Sequence, residues 1–301
     1  MTTKATSTTT PAGASSAADA TDAGRPPRLD ARKGDFECMA GIPPGRYTNV
    51  AAPFWLMVAC GLSILTALVV VFALRHTYAY EMINRCWTNW VVIVLTWWCM
   101  GMLYSKYVKT NIQRKALKVQ DIIPRRGDFV LSPGTAGEVL RRIRAVADRP
   151  KDFLLFRRMD MALSNLDNIG EVRDVGAVLE SQADSDASNV DSSYTVIRAL
   201  IWTIPIMGFI GTVIGLSASI RAFTDVLNLS ASDAGSIKAK LQPVVGGLAT
   251  EFETTLVALF TAVIVQLIAT WTFRREEILI DDITDYCNEH VLSRLKLTDW
   301  R

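Results

Sequence analysis

Histidine and cysteine are scarce in this chain of 301 residues. The only histidines are His76 and His290, so the sequence offers no histidine cluster for a metal ion. The cysteines are few and far apart, and their spacing fits neither a disulfide framework nor a zinc site: Cys38, Cys60, Cys86, Cys99 and Cys287. We therefore expect no metal and no other cofactor.

Sequence motifs of the common catalytic sites are also missing. The chain has no phosphate-binding P-loop, no dinucleotide-binding glycine motif and no nucleophile elbow. Its glycine-containing stretch at residues 132–140, SPGTAGEVL, lacks the Lys-Ser/Thr pair that a nucleotide site requires. We therefore predict that the protein is not an enzyme and does not carry out ATP-driven chemistry.

Charged residues are absent from four long stretches of a chain that is 50% hydrophobic, with a mean hydropathy of +0.22. Each stretch can hold about 20 helical residues at ~1.5 Å each, which is enough to cross a hydrocarbon layer of ~30 Å. We predict an all-α membrane protein with a helical cytoplasmic loop, a cytoplasmic C-terminal helix and four transmembrane helices at residues 54–74, 87–104, 199–220 and 254–273.

Basic residues follow the second and fourth predicted spans. Arg274 and Arg275 come directly after the fourth, and seven residues follow the second with only Asp121 to oppose them: Lys106, Lys109, Arg114, Lys115, Lys118, Arg125 and Arg126. A nucleic-acid site is the alternative interpretation, but a basic run that adjoins a span is typical of a membrane stop signal. We therefore expect no nucleic-acid partner, and we assign both termini and the central loop to the cytoplasm.

Composition divides the chain into five predicted regions. Low hydrophobicity and several prolines indicate a disordered tail at residues 1–40, which precedes a transmembrane hairpin at 41–104. A cytoplasmic helical domain at 105–195, a second membrane region at 196–275 and a cytoplasmic helical tail at 276–301 follow.

Two helices of the cytoplasmic domain have predicted start signals. Thr135 with Glu138 has the spacing of a capping box, and Asp152 could cap the apolar segment that follows it. A polar helix at residues 171–195 should lead directly into the third span.

Small and hydroxyl-bearing residues form one face of the third span. They recur at intervals of three and four residues: Pro205, Gly208, Thr212, Gly215 and Ser219. Close helix packing alone would explain the glycines. It explains less well a proline inside the span, because proline removes one backbone hydrogen bond. Packing and a functional polar face therefore both remain open at this point.

The fourth span carries a comparable stripe of Thr255, Ala258, Ala262, Gln266 and Ala269, flanked by Thr254. Glu253 precedes it and could face a vestibule at the outer end of the span. No carboxylate, lysine or histidine lies in the middle of any span, although ion pathways usually contain such a group. If the protein moves protons, the titrating group must come from another chain.

Two motifs carry a resemblance to a known family. Residues 205–215, Pro-x-x-Gly-x-x-Gly-Thr-Val-x-Gly, and residues 247–259, Gly-Leu-Ala-x-x-x-x-Thr-Thr-x-x-x-Leu, resemble the MotA/TolQ/ExbB proton-channel family. The similarity covers roughly residues 196–275. The four-span arrangement is like that of MotA, whereas the GTVIG segment is nearer to TolQ and ExbB.

This resemblance implies the fold, location and partners of a proton-driven motor subunit. It implies a homo-oligomeric ring, a pentamer, in the bacterial inner membrane, around a single-span ExbD/TolR/MotB-like partner that carries an intramembrane aspartate. Thr212 and Thr255 match the threonines that line the channel, and Pro205 matches the proline that shapes the helix. Gly208, Gly215, Ser219 and Thr254 complete the predicted lining.

Alternatives to this interpretation concern the ion, the process and the class of protein. Na⁺ could replace the proton, and the driven process could be flagellar rotation, outer-membrane uptake, envelope maintenance, gliding or defence. A non-conducting membrane scaffold, whose small-residue faces only assemble helices, is the rival from another functional class.

The predicted topology can be tested with single cysteines placed in a background that lacks the native ones. Cysteines at positions 120 and 285 should resist a membrane-impermeant thiol reagent in intact cells, because the positive-inside bias places both in the cytoplasm. A cysteine at position 235 should react, and all three should react after permeabilisation. The readout is the mass of the labelled protein, and labelling of position 120 in intact cells would overturn the assignment.

Overall fold

A computed structural model describes residues 29–30, 34, 36–41, 48–73, 80, 83–84, 87–119, 131–164, 172–227 and 234–295. The elements of this part are α1 (Phe36–Met39), α2 (Ala52–Ala73), α3 (Trp87–Leu117), α4 (Pro133–Val146), α5 (Leu154–Ser164), α6 (Val172–Ser193), α7 (Thr195–Leu227), α8 (Ala234–His290) and two 3₁₀ turns, Pro150–Asp152 and Leu292–Arg294.

Among the described residues, four helical segments are long and apolar enough to cross a membrane, and they contain α2, α3, α7 and α8. The prediction of an all-α membrane protein is therefore confirmed. The helices are longer than the predicted spans. With 57 residues, α8 is about 85 Å long and extends well beyond a hydrocarbon layer of ~30 Å at both ends.

Helix α8 connects the two parts of the described structure, because it contacts both the membrane helices and the helices outside the spans. It contacts α7, α3, α5 and α6, and Ala258 in its apolar part lies against Gly208 of α7. Leu279 and Ile283, nearer its end, belong to one core with residues of α5 and α6. The predicted continuation of the fourth span into a helical tail is present in this one helix. The predicted junction before the third span differs slightly, since a turn at Tyr194 separates α6 from α7.

Two apolar cores lie at different levels of α8. In the membrane region, Trp55 of α2, Leu103 of α3 and Val265 of α8 belong to one core. The larger core joins α4, α5, α6 and the end of α8, and its fully buried members include Val139, Ile143, Phe156, Met159, Val175 and Ile283. This second core packs the helices outside the spans against α8.

The start of α4 differs from the predicted capping box. Ser132 is the N-cap, and its backbone N–H donates to Thr135 Oγ1 over 2.9 Å, so Thr135 lies inside the helix and Glu138 has no capping role. Pro133 occupies the first helical position, where its fixed φ suits a helix and its missing N–H costs no hydrogen bond.

The start of α5 also differs from prediction, because Asp152 lies in a 3₁₀ turn and does not cap the helix. The Leu154 backbone N–H donates instead to Gln113 Oε1 over 3.0 Å. Gln113 Nε2 donates to the Asp152 carbonyl over 2.8 Å. A side chain from α3 therefore supplies the cap, and tertiary packing has replaced the local signal.

The described residues near the end of the predicted disordered tail make defined contacts, and residues 1–28, 31–33 and 35 lie outside the described part. Leu29 N–H donates to the Val146 carbonyl over 2.8 Å. Glu37 of α1 is buried, and its carboxylate accepts from Lys109 Nζ over 2.6 Å and from Trp55 Nε1 over 3.0 Å. The low hydrophobicity of the segment gave no sign of this single, well-paired carboxylate.

Within the described ranges, three buried ion pairs cross-link the helices: Lys106–Glu276, Lys109–Glu37 and Arg158–Asp186. The first joins α3 to α8, and both of its side chains are 1% exposed. Glu276 also accepts from Thr110 Oγ1 over 3.3 Å. Lys106 Nζ donates to Ser193 Oγ over 2.8 Å and lies 4.1 Å from the centre of the Tyr194 ring. Lys106 therefore holds α3, α8 and the α6–α7 turn together.

Removal of one partner from this pair should destabilise the protein strongly. Lys106→Met leaves Glu276 buried without its cation, which typically costs about 3–5 kcal/mol, whereas the double variant Lys106→Met/Glu276→Met should recover most of that loss. Tryptophan fluorescence during thermal unfolding of the detergent-purified protein measures the effect.

A matched control is Glu277→Gln, which breaks the exposed 3.3 Å pair with Arg274 on the same helix and should change stability little. Equal effects of Lys106→Met and Glu277→Gln would contradict the structural role of the buried pair.

Candidate functional site

Helices α7 and α8 approach each other closely where Gly208 faces α8. A Cβ atom at Gly208 would lie 2.5 Å from Ala258 Cβ and 3.4 Å from Thr255 Cα. Real side chains do not reach the shorter distance, so only glycine permits this spacing of the two backbones. The close contact brings a hydroxyl of α8 within reach of the α7 backbone.

That contact creates the threonine cluster, which consists of the Thr212 hydroxyl, the Thr255 hydroxyl and the Gly208 carbonyl. Thr255 Oγ1 lies 3.0 Å and Thr212 Oγ1 lies 3.3 Å from the Gly208 carbonyl oxygen. The two hydroxyls also form a short hydrogen bond with each other across the helix interface. Both threonines are half-buried. The structure therefore joins two residues that are 43 positions apart in the sequence.

The number of hydroxyl protons limits how the threonine cluster can be bonded. Each hydroxyl has one proton to donate and two lone pairs that accept. If Thr212 donates to Thr255, then Thr255 donates to the Gly208 carbonyl. If Thr255 donates to Thr212, then Thr212 donates to that carbonyl. Rotation of the two hydroxyls interconverts these arrangements without creating a charge, which is the property needed in a short proton relay.

Pro205 lies inside α7 and is half-buried. Since proline has no backbone N–H, the carbonyl one turn earlier, at Ile201, loses its usual helical donor. The helix nevertheless continues through this position to Leu227. Pro205 lies one turn before Gly208 and alters the backbone next to the threonine cluster.

Sequence reasoning missed a second close contact, beside the first. A Cβ atom at Gly211 would lie 2.5 Å from Thr88 Oγ1 of α3 and 3.7 Å from Thr254 Oγ1 of α8. Thr88 is fully buried, and Thr254 is 3% exposed. Gly211 was visible in the sequence as part of the family motif, but nothing in the sequence linked it to Thr88. Thr254 therefore lies in a junction of three helices, whereas Thr255 faces Gly208.

The remaining predicted site residues lie outside the threonine cluster. Gly215 and Ser219 are half-buried on the following turns of α7, and Ser219 is about 10 Å along the helix from Thr212. Glu253 is half-buried and lies two positions before Thr255 on α8. Gly215, Ser219 and Glu253 therefore lie on turns next to the threonine cluster.

The predicted stripe on the fourth span needs one correction. Ala258, Ala262 and Ala269 are buried as expected, but Gln266 is exposed and Val265 takes its place. Ala258, Ala262, Val265 and Ala269 recur at intervals of four, three and four residues, which keeps them on one face of α8.

The two spans that carry the threonine cluster contain no charged residues. Residues 199–220 and 254–273 contain no Lys, Arg, Asp or Glu, so the threonine cluster has no ionisable neighbour within its own spans. No group of metal-ligating side chains occurs in the described part of the chain. The site offers neutral donors and acceptors in a membrane-depth junction, and it contains no residue that could itself carry a proton as a charge.

A comparison with known protein families finds a match, which includes the residues of the threonine cluster. Residues 147–284 match the family model described as the MotA/TolQ/ExbB proton channel family. This region of the chain belongs to that family. The MotA/TolQ/ExbB match contains the whole threonine cluster and extends to α5 and α6, beyond the 196–275 resemblance seen in the motifs. Neither a curated protein nor a solved structure matches the chain.

The family match gives a coarse function for residues 147–284. The chain is a multi-pass membrane protein with a proton-channel region of the MotA/TolQ/ExbB type, and the residues of that region are supplied by α5 to α8. The hairpin of α2 and α3 lies before the matched region, yet α3 supplies Thr88 to the Gly211 junction.

Substitution of Gly208 should test whether the close helix contact supports the threonine cluster. Gly208→Ala must push α8 away from α7, and overpacking of this kind typically costs about 1–3 kcal/mol. Gly61→Ala in α2 is the matched control, because a Cβ atom there meets nothing within 4 Å. Thermal unfolding of both variants measures the difference. If they unfold at the same temperature, the contact at Gly208 is not tight.

Proposed function

We propose that this chain is the ring-forming subunit of an ion-motive-force motor or channel, and that it works with a single-span partner carrying an intramembrane aspartate. The observation that carries the proposal is the threonine cluster, which is polar, half-buried and free of its own charge. The family match supports the proton as the ion. Na⁺ is the alternative ion.

The chemistry of the threonine cluster complements a carboxyl group. A protonated aspartate can donate to a threonine oxygen, and an ionised aspartate can accept from a threonine hydroxyl. The two bonding arrangements of Thr212 and Thr255 serve these two states without burying a second charge. Protons then cross the membrane by loading and unloading the partner's aspartate, while this chain acts as the non-titrating half.

The exposed surface of the membrane helices supports assembly with other chains. The threonine cluster is half-buried, so part of it is open to a neighbouring chain. Large apolar side chains are also exposed along both helices, and they include Trp202, Phe209 and Val213 of α7 and Leu256, Phe260 and Leu267 of α8. A homo-oligomeric ring, for which we propose five copies, would cover part of this surface and enclose the partner.

The membrane potential supplies the driving force in this proposal. One charge moved across the bilayer is worth ~2.3 kcal/mol per 100 mV, so a few protons suffice for a mechanical step. We propose the bacterial inner membrane as the location, with both termini in the cytoplasm. A ring would also gather several Glu253 carboxylates at its outer mouth, where they would concentrate cations.

Replacement of the threonines by valine tests the channel role, because valine keeps the shape and removes the hydroxyl. Loss of a hydrogen bond to a charged group costs ~1.5–3 kcal/mol, so Thr212→Val or Thr255→Val should lower proton uptake roughly ten- to hundredfold. The measurement is proton uptake by liposomes that contain this chain and the single-span protein that co-purifies with it. Thr→Ser at either position should keep much of the flux.

Matched controls come from threonines that only bond their own helix. Thr203 Oγ1 donates to the Ala199 carbonyl over 2.7 Å, and Thr270 Oγ1 donates to the Gln266 carbonyl over 2.9 Å. Thr203→Val and Thr270→Val should therefore leave uptake unchanged. Normal uptake by the Thr212→Val/Thr255→Val protein would reject the channel role and favour the non-conducting scaffold.

A further inference from the structure

A groove of ≈ 830 Å³ lies between α6 and the far end of α8, away from the threonine cluster. Its walls come from the turns of α6 around Leu179 and Ala183 and from the last turns of α8 around Thr284. Helix α8 reaches Asp281 about 12 Å and His290 about 26 Å beyond residue 273, the last uncharged position of its span. The groove therefore lies in water, beyond the depth of a lipid headgroup layer.

Two rows of carboxylates face this groove. Glu180 and Asp184 are one turn apart on α6, and Asp281 and Asp285 are one turn apart on α8. All four are exposed, and none forms a salt bridge with another residue of the described ranges. Like charges one turn apart on a helix repel each other. A cationic ligand between the two rows would relieve that repulsion.

The floor of the groove carries an unusual guanidinium. Arg158 is 2% exposed, its Nε donates to Asp186 over 2.7 Å, and its Nη1 donates to Thr284 over 2.8 Å. Its Nη2 is buried and has no hydrogen-bond partner among the residues that the structure describes. A buried donor without an acceptor is costly, so this position favours a ligand that brings an oxygen.

These two features together restrict the ligand class. A divalent cation is disfavoured, because the described carboxylates form no cluster that could hold a metal ion. A polyamine would neutralise the rim, but it has only donors and cannot satisfy Arg158 Nη2. A polypeptide segment offers both lysine or arginine side chains for the rim and carbonyl oxygens for the floor.

We propose that this groove binds a basic segment of a separate soluble protein. Lysine or arginine side chains of the segment pair with the carboxylates of both helices, and one of its carbonyl or hydroxyl oxygens accepts from Arg158 Nη2. This interaction does not depend on ion conduction. Binding at the groove and flux through the membrane are therefore measured, and can fail, separately.

A peptide-binding experiment tests the charge requirement. The probe is a fluorescent peptide of lysine and alanine residues, and fluorescence anisotropy measures its affinity for the full chain in nanodiscs. Asp281→Asn/Asp285→Asn should weaken binding about five- to thirtyfold, as expected from the loss of two partly exposed ion pairs. The control Asp282→Asn/Glu289→Gln removes two charges from the same helix outside the groove and should change affinity less than about twofold. Equal effects of the two double variants would overturn the proposal.

The contribution of Arg158 to binding is tested with Arg158→Lys, which keeps a cation beside Asp186 and removes Nη2. This variant should lower the affinity for the peptide more than the affinity for spermidine, because spermidine has no acceptor for Arg158. Thermal unfolding confirms that the variant is folded, and the rim variants test the groove independently of it. An equal loss of affinity for the peptide and for spermidine would exclude the proposed contact with Arg158.

A photo-crosslinking amino acid at Ala187, which lines the groove and is exposed, identifies the source of the segment in cells. Ala177 is the control, since it is exposed on the same helix outside the groove. Cross-links from Ala187 alone to a lysine- or arginine-containing peptide of a soluble protein would support the proposal. Cross-links to a second copy of this chain, or none at all, would refute it.

Discussion

The close contact of α7 with α8 at Gly208 is the constraint on which the candidate site depends. In hydrocarbon, the threonine hydroxyls cannot use water, so each must bond to protein. Because Gly208 has no side chain, Thr255 of α8 reaches the Gly208 carbonyl of α7. The result is a polar site to which residues 199–220 and 254–273 contribute no ionisable side chain.

A second constraint holds the long helices in register. Lys106 pairs with Glu276 in a buried site at the end of the charge-free spans and also bonds Ser193 beside the α6–α7 turn. A buried pair contributes more to a unique arrangement than to net stability, because desolvation offsets much of its attraction. In this chain it fixes α3 against α8, and α3 in turn supplies Thr88 to the junction at Gly211.

The larger features of the fold could be predicted from the sequence. Four charge-free stretches placed the spans, and the spacing of Pro205, Gly208 and Thr212 indicated one small-residue face. Local start signals were less reliable. Thr135 was taken for an N-cap, although Ser132 with Pro133 begins the helix, and Asp152 was replaced as a cap by Gln113 from another helix. Helix ends depend on which partner is nearest in space, which short motifs do not contain.

By itself, the sequence determined that this is a four-span helical membrane protein with paired threonine-bearing spans, because hydropathy and helical period act over neighbouring residues. Only the tertiary structure decided which hydroxyls meet. Thr254 and Thr255 are adjacent, yet one enters the Gly211 junction and the other bonds the Gly208 carbonyl. Lys106 is a second example. Its position after the second span predicted a membrane stop signal, but in the structure it is buried against Glu276. Side-chain direction and burial depend on how distant helices pack, and no local pattern records that packing.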